Sequence, residues 1–306
     1  MGANMAWYRW DNDFKGVGSG NDLSVQSNYV AVDAKLRQAS AAGLHTIRWW
    51  TFVCSSGVQT DSSGMPTVIN PAVYRDFDLA LRLARKYDIY YVFDICDDPN
   101  NHKAIRWNDD VYPSALANAL SPLFARYRGN PHILAWEVFN EPEYSVWDGT
   151  VTLSTEQNIV KTIAAAVHRN STAYATIGSA EMSQTGNWTG LGLDFLSPHD
   201  YWAEPRFVSA FTCPLCLAYR QFANVLSGVG PTVVGEWRPV SKGASDLPND
   251  QQQRWESLYD NDFAGAWPWT LFPENTDAGP CPNAFCIDLH AATTFYREHV
   301  DLGPHR

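Results

Sequence analysis

Short runs of apolar residues alternate with amphipathic segments along the whole chain. The clearest runs are LHTIRWWTFV at 44–53, DIYYVFDIC at 88–96 and ILAWEVFN at 133–140. Each is of strand length and is continuously apolar instead of alternating apolar with polar positions. That pattern is typical of parallel strands that are covered on both faces. The sequence therefore predicts a parallel sheet enclosed by helices.

The segments between these runs have helical periodicity and helix-start signals. In the segment 70–87, Asn70 is suited to cap a helix and Pro71 to occupy its first position. In the segment 154–170, Ser154 and Gln157 have the spacing of a capping box. We therefore predict that a helix follows each of these strands.

Eight such strand–helix units are found between the first residues and the closing segment DLHAATTFYREHV at 288–300. Eight units in 306 residues predict a single (β/α)8 TIM barrel, one domain spanning 1–306. The alternative is a doubly wound open sheet, which carries a glycine-rich phosphate loop after its first strand. The segment FKGVGSGND at 14–22 is rich in glycine but does not open a clear helix. The barrel is therefore the favoured fold.

Polar and aromatic side chains collect where the predicted strands end. In a parallel barrel these carboxyl-terminal ends share one mouth, where active sites are built. Two glutamates, Glu141 and Glu236, close the fourth and seventh strands. Residues that close the other strands, or that precede Glu141, are Arg48, Trp50, Asn140, His199, Tyr201, Trp267 and Trp269. Of the two tryptophans on strand eight, we expect one to face the barrel and the other its helices.

Two carboxylates that converge on one mouth have the chemistry of glycosidic bond cleavage. One must hold a proton for the leaving oxygen, and the other must stay ionised. A separation of ~5–5.5 Å between the carboxyl groups makes the second a nucleophile, whereas ~6.5–9.5 Å leaves room for water and inverts configuration. Because the sequence does not give this distance, both stereochemical outcomes stay open at this point.

Composition narrows the class of ligand. The net charge is −11, and no segment is rich in lysine or arginine, so the electrostatic footprint of a nucleic-acid-binding protein is missing. Aromatic residues make up 13% of the chain, including 13 tryptophans, which favours a neutral ligand that stacks on aromatic faces. No apolar run reaches the ~20 residues of a membrane span. We therefore expect neither nucleic acid nor membrane as a partner.

Four of these features together resemble one family of known enzymes. They are NEP at 140–142 after an apolar strand, HDY at 199–201, a glutamate closing PTVVGEW at 231–237, and a tryptophan closing strand eight. In this order they look like clan A of the glycoside hydrolases, and most like its cellulase and mannanase family, family five. The resemblance covers essentially the whole chain. It implies a (β/α)8 barrel that hydrolyses β-linked sugar chains with retention and needs no cofactor or metal.

The resemblance also implies roles for the two glutamates and their neighbours. Glu141 is expected to be the acid/base and Glu236 the nucleophile. Arg48 is expected to keep Glu236 ionised, since an ion pair with arginine lowers a carboxylate pKa. Asn140 is expected to hold the sugar 2-hydroxyl, and Tyr201 to donate a hydrogen bond to Glu236.

Three further side chains complete the expected substrate site. His199 is expected to line the site near the acid/base, and Trp269, rather than Trp267, to floor the subsite of the reacting sugar. Trp50 lies within RWWTF, which resembles the arginine–tryptophan–phenylalanine spacing of the mannanase branch. The sequence departs from the family pattern after strand three. Where members often carry a histidine, FDICDDPNNH has aspartates, and His102 follows several residues on.

These features favour a β-1,4-linked mannan or glucan chain as the substrate and a monomeric protein. Three alternatives stay open. An exo-acting β-glucosidase or β-mannosidase of the same clan has the same glutamates. A catalytically inactive carbohydrate-binding barrel has the same fold, although the presence of both glutamates argues against it. A metal-dependent hydrolase is disfavoured because the eight histidines are scattered without HxH or HExxH spacing.

The six cysteines bear on the compartment. CPLC at 213–216 and CPNAFC at 281–286 are close pairs in loop-like segments. They fit disulfides of an oxidising compartment, a four-thiolate zinc site, or reduced thiols. Cys54 and Cys96 each follow a predicted strand and could lie side by side. The first residues do not have the pattern of a signal peptide. The paired cysteines and the substrate class nevertheless favour an extracellular location.

Overall fold

The computed structural model describes residues 1–9, 12–16, 23–52, 57–96, 106–201, 230–239, 251–271 and 286–299. Its strands are β1 (Gly2–Asn4), β2 (Thr46–Trp50), β3 (Val58–Thr60), β4 (Pro66–Ile69), β5 (Tyr90–Cys96), β6 (Ile133–Asn140), β7 (Tyr174–Ser179), β8 (Ser197–Asp200), β9 (Val233–Val234), β10 (Glu236–Trp237) and β11 (Gly265–Ala266). Its α-helices are α1 (Tyr29–Ala41), α2 (Val73–Tyr87), α3 (Tyr112–Arg126), α4 (Glu143–Trp147), α5 (Leu153–Asn170), α6 (Gln251–Asp260) and α7 (Leu289–Glu298).

The parallel strands form a nearly closed barrel. Seven are hydrogen-bonded side by side in the order β1-β2-β5-β6-β7-β8-β10, and β11 pairs in parallel with β9. The last segment then returns to β1. The Asn4 backbone N–H donates to the Pro268 carbonyl at 3.0 Å, and the Leu271 N–H donates to the Asn4 carbonyl at 2.8 Å. The predicted (β/α)8 barrel is confirmed, whereas a single domain spanning 1–306 stays a prediction.

The helix-start signals of the sequence are displaced from the observed starts. Helix α2 begins at Val73 with Ala72 in the capping position, although the Asn70 Oδ1 atom accepts a hydrogen bond from the Ala72 N–H at 3.1 Å. The predicted cap at Asn70 and the predicted first helical position at Pro71 therefore lie two residues too early. The predicted capping box of α5 is wrong. Thr152 is the capping residue, since its backbone is extended and its side chain accepts from the Thr155 N–H. Ser154 already lies in the first helical turn.

Several elements lie outside the prediction. The antiparallel hairpin β3–β4, the short helix α4 and a 3-10 helix over Met182–Trp188 were not expected from the sequence. The segment LCLAYRQFANVLS at 215–227, whose pattern predicts a further helix, lies outside the described residues. Among the helices of the described ranges, none has the length and apolar content needed to cross a membrane.

The barrel interior contains an apolar layer near the amino-terminal ends of the strands. This buried cluster, which we call the apolar layer, consists of Val92, Ala135, Phe195, Val233 and Trp267. Trp269 lies in a separate cluster nearer the mouth, with Trp50. The expectation that one of the two tryptophans of strand eight faces the helices is therefore wrong. Residues two apart on a strand point to the same face, which here is the interior.

Candidate active site

Glu141 and Glu236 meet at the mouth of the barrel. Glu141 directly follows β6, and Glu236 begins β10, whose backbone pairs it with His199. One carboxylate oxygen of each glutamate and one ring nitrogen of His199 lie within 4.8 Å of one another. Two carboxylates this close favour direct attack by one of them on a substrate, since inverting enzymes keep the two groups ~6.5–9.5 Å apart to hold a water molecule.

The backbone turns sharply at Glu141 and aims its side chain into the mouth. Its φ is +48°, and its N–H donates to the Gly178 carbonyl on the neighbouring strand at 2.7 Å. The carboxylate is 19% exposed and accepts a hydrogen bond from His199 Nδ1 at 2.8 Å. A left-handed conformation at a residue other than glycine is uncommon and clusters at functional sites. Glu141 is therefore accessible to a ligand and fixed in direction.

Glu236 is buried and held at both oxygens. Oε1 accepts from Arg48 Nη1 at 2.5 Å, and Oε2 accepts from the Tyr201 hydroxyl at 2.7 Å. Burial raises the pKa of Glu236 above the ordinary glutamate value, while the positive charge of Arg48 and the Tyr201 hydrogen bond act in the opposite direction. Arg48 thus lowers the pKa as expected, but desolvation outweighs the ion pair and leaves the net shift upward.

Arg48 is the hub of the site and is completely buried. Besides Glu236, its guanidinium donates to Asn4 Oδ1 at 3.0 Å and to Asn140 Oδ1 at 2.8 Å. Its Nε donates to Glu137 Oε1 at 2.9 Å, and its Nη2 donates to the same oxygen. Because Arg48 occupies the Asn140 carbonyl oxygen, the amide nitrogen of Asn140 is the atom left to donate to a sugar hydroxyl.

Sequence reasoning missed Asn4 and Glu137. Asn4 Nδ2 donates to the Gly235 carbonyl at 2.8 Å and to the Trp267 carbonyl at 2.7 Å, so it joins the first strand to the last two. Glu137 is fully buried in the middle of β6. The signal was available, because a charged residue inside a continuously apolar strand is costly without a partner.

Gly178 makes room for this network. A Cβ atom at Gly178 would lie 2.7 Å from Glu137 Oε1, 2.9 Å from His199 Nε2 and 3.1 Å from Arg48 Nη2. No heavy atom tolerates such approaches without displacing its neighbours. A glycine at this position therefore lets three polar side chains meet on the β7 backbone.

His199 serves the site as a neutral group. Burial lowers its pKa to about 4, and the Glu236 charge only partly offsets this effect. A neutral ring that faces the Glu141 carboxylate through Nδ1 carries its proton on that nitrogen. Its Nε2 atom is buried and has no hydrogen-bond partner among the described residues. His199 therefore acts as a hydrogen-bond donor that orients Glu141 without adding a charge.

Aromatic side chains form one wall of the mouth. Trp7, Trp50 and Trp269 pack edge to face or tilted, with ring centroids 5.0 Å apart for Trp7–Trp50, 6.1 Å for Trp7–Trp269 and 5.8 Å for Trp50–Trp269. Tyr201 packs against the same cluster. Trp50 and Trp269 were predicted as binding residues, whereas Trp7 was missed because nothing in its local sequence places it at the mouth.

Glu143, two residues after Glu141, has a structural role. It is buried, and its carboxylate accepts from the Ser179 hydroxyl at 2.6 Å, the Ala180 N–H at 2.9 Å and Trp188 Nε1 at 2.6 Å. These contacts tie the end of β6 to the segment after β7. Glu143 thus points away from the mouth.

Other predicted features bear less directly on the site. Asp97, Asp98 and His102 lie outside the described residues, as do Cys54, Cys213, Cys216 and Cys281. Cys286 is disulfide-bonded, in line with the disulfide interpretation of its loop.

The only three residues in the described ranges with the spacing of a metal site are Glu141, His199 and Glu236. Arg48 is ion-paired with Glu236, and this buried cation beside the carboxylates favours acid–base chemistry over metal binding. The expected absence of a cofactor stays a prediction.

Comparison with known proteins places the chain among carbohydrate-active enzymes. The family model for cellulases, glycosyl hydrolase family 5, matches residues 11–272. A mannan endo-1,4-β-mannosidase of Cryptopygus antarcticus is 27% identical over 355 aligned positions, which cover 99% of this chain and 87% of that protein.

Solved structures of similar proteins agree in fold. The β-1,4-D-mannanase from Cryptopygus antarcticus superposes with a TM-score of 0.71 at 22% identity, covering 95% of this chain and 88% of that one. The endo-1,4-β-mannanase from Eisenia fetida superposes with a TM-score of 0.73 at 16% identity, covering 97% of this chain and 90% of that one. At these identities the likeness establishes the barrel fold alone.

Proposed function

The chain belongs to the cellulase family, glycosyl hydrolase family 5, and from that premise we propose that it cleaves β-1,4-linked mannan chains with retention of configuration. As a member of this family it is an O-glycosyl hydrolase. One observation carries the stereochemical proposal. Oxygens of Glu141 and Glu236 lie within 4.8 Å of each other across the mouth, which is the spacing of a double displacement.

In the first step, a Glu236 oxygen attacks the anomeric carbon and the bond to the leaving sugar oxygen breaks. Glu141 gives its proton to that oxygen, so the leaving chain departs as a neutral alcohol. Glu236 ends the step as a glycosyl ester and Glu141 as a carboxylate. Tyr201 and Arg48, which bind the two Glu236 oxygens, fix the direction of attack.

In the second step, Glu141 takes a proton from a water molecule while the water oxygen attacks the anomeric carbon. The ester bond to Glu236 breaks, and both glutamates return to their starting states. Two inversions at one carbon give net retention. His199 keeps Glu141 directed at the same face in both steps, since its ring donates to Oε1 at 2.8 Å.

The substrate class is supported by the relatives and by the wall of the mouth. The full-length relative in Cryptopygus antarcticus is named as a mannan endo-1,4-β-mannosidase. The wall of Trp7, Trp50 and Trp269 offers apolar faces for the C–H faces of a neutral sugar chain. We infer a mannan-type chain as the preferred substrate, and the chemistry of the two glutamates does not depend on that choice.

The test is a product profile on mannan, cellulose and short β-1,4-linked oligosaccharides, with the anomeric configuration followed by NMR. We expect mannan to be cut into oligosaccharides of mixed length, with the β-anomer appearing first. First release of the α-anomer would overturn retention. Release of single sugars from chain ends would favour the exo-acting alternative, and no hydrolysis of any substrate would favour an inactive binding barrel.

A second experiment tests the role of Glu141. In Glu141→Gln the proton donor is lost, so hydrolysis of mannan is expected to fall by about 10²–10⁴-fold. For aryl glycosides whose leaving group needs no proton, the rate of the first step should fall much less. Glu143→Gln is the matched control, because that carboxylate lies two residues away and binds Trp188 instead of facing the mouth. Equal loss on both substrate types in Glu141→Gln would contradict the acid role.

A further inference from the structure

A third carboxylate lies beside the proposed catalytic pair. Glu137 is fully buried in the middle of β6, and its Oε1 atom accepts hydrogen bonds from both Nε and Nη2 of Arg48. Its Oε2 atom is buried and has no hydrogen-bond partner among the described residues. No role is assigned to this residue by the two-glutamate mechanism.

Stability alone does not explain this arrangement. A buried ion pair is often no more stabilising than apolar residues of similar size, because both charges lose their hydration. Here the carboxylate is satisfied at one oxygen only, which adds to the cost. The neighbouring interior position on the same strand, Ala135, belongs to the apolar layer, so the strand changes from an apolar residue to a buried carboxylate within two positions.

The charges around Glu236 are unevenly matched. Arg48 is the buried cation, and it binds Glu137 through two nitrogens but Glu236 through Nη1 only. Other titratable or charged groups surround Glu236 and Arg48. His199 and Tyr201, on the β8 side, are neutral. Glu141 lies at the end of β6, Asp94 lies on β5, and Arg238 lies beside the Tyr201 ring. One buried arginine thus donates hydrogen bonds to two buried carboxylates, Glu137 and Glu236.

Resting on the proposed function, we propose that Glu137 is a positioning residue that shares the charge of Arg48 with Glu236 and so keeps the nucleophile from forming a fully neutralised ion pair. Arg48 holds Glu236 in place through Nη1, while Glu137 draws on the same cation. A nucleophile whose charge is only partly compensated stays more basic and more reactive. Glu137 also fixes the guanidinium plane from which Asn140 takes its orientation.

The sign of the pH effect follows from these contacts. Hydrolysis requires ionised Glu236, so the acid limb of kcat/KM reports its ionisation in the free enzyme. In Glu137→Gln the Arg48 charge is no longer shared, and it stabilises ionised Glu236 more strongly. The acid limb should therefore move to lower pH, by on the order of one unit, since a nearby like charge raises a carboxylate pKa and its removal lowers it.

The experiment measures kcat/KM on an oligosaccharide substrate across the acid range for wild type, Glu137→Gln and Glu143→Gln. Glu143→Gln removes a buried carboxylate that does not touch Arg48, so its acid limb should coincide with that of the wild type. An unmoved limb in folded Glu137→Gln, or a limb moved to higher pH, overturns the proposal. A merely structural role for Glu137 would lower the rate at every pH and leave the limb in place.

If Glu137→Gln does not fold, Glu137→Asp carries the test. The shorter side chain withdraws the carboxylate from Arg48 by one methylene group, so the limb should move in the same direction by a smaller amount. An unmoved limb in Glu137→Asp also overturns the proposal. If the wild type hydrolyses no glycoside, the proposed function fails instead, and the two failures are thus distinguishable.

Discussion

The interior of this barrel is divided into two layers of opposite character. In the apolar layer, the indole of Trp267 is the one side chain with a polar atom. Above it, toward the mouth, lies what we call the polar layer, made of Asn4, Arg48, Glu137, His199 and Glu236, all of which are buried. The same strands supply both layers, since β6 places Ala135 in one and Glu137 in the other.

The difference shows how the barrel separates stability from chemistry. Burial of the apolar layer removes nonpolar surface from water, which stabilises the fold. The polar layer instead carries desolvated charges whose hydrogen bonds only offset the cost of burying them. Changes in the apolar layer should therefore act mainly on unfolding, and changes in the polar layer mainly on catalysis.

The largest effect is expected from Glu236→Gln, which removes the proposed nucleophile. The rate should fall by about 10⁴-fold or more, as when a nucleophile is removed from other covalent mechanisms. The midpoint of urea unfolding should stay near that of the wild type, because glutamine still accepts from Arg48 and Glu137 still pairs with that charge. A normal rate, or a collapse of stability, would break the division between the layers.

Trp267→Ala tests the opposite layer. Trp267 is 2% exposed. Its ring packs so closely on Gly2 that a Cβ atom added there would lie 2.4 Å from it. Its removal leaves a large cavity and should lower the free energy of unfolding by about 3–5 kcal/mol. Urea unfolding gives this value, and kcat of the folded fraction should change little. A large loss of kcat without loss of stability would contradict the comparison.

Gly178→Ala tests the polar layer without removing any charge. The added methyl group would displace Glu137 Oε1, His199 Nε2 or both, which lie 2.7 Å and 2.9 Å from its position. A displacement of the order of 1 Å in such a site costs about 10²-fold in rate. Steady-state kinetics on mannan oligosaccharides should show this loss chiefly in kcat. Gly186→Ala is a control for the cost of alanine at a glycine, since no atom lies within 4 Å of its Cβ position and, as at Gly178, its backbone is not in the left-handed region.

The smallest effect is expected at the rim, from Trp7→Ala. The Trp7 ring packs against the rings of Trp50 and Trp269. Loss of one aromatic face should raise KM by about tenfold with kcat nearly unchanged, because such binding contributes equally to ground and transition states. A fall in kcat larger than the rise in KM would show that Trp7 acts on the chemical step, as the polar layer does, and not on binding alone.

The sequence predicted correctly those features that follow from local hydrophobic pattern together with the order of the strands along the chain. Continuous apolar runs gave the strands, and their order placed Glu141, Glu236, Arg48 and Tyr201 at one rim. The capping residue of α5 was predicted two positions late, since Thr152 and Ser154 are equally good caps in sequence and only the backbone conformation separates them. The wrong facing of Trp267 and Trp269 was an error of period, which the strand geometry itself could have prevented.

The sequence by itself determined the barrel, its family and the residue types that its mouth contains, because hydrophobic periodicity and short motifs are local properties. Only the tertiary structure decided the distances and the electrostatics. It brought Glu137 and Glu236, 99 positions apart in the printed sequence (236 − 137), onto opposite sides of one guanidinium. It also raised the pKa of Glu236 where an arginine contact alone predicts a fall. Desolvation depends on everything packed around a group, and that is a property of the folded chain.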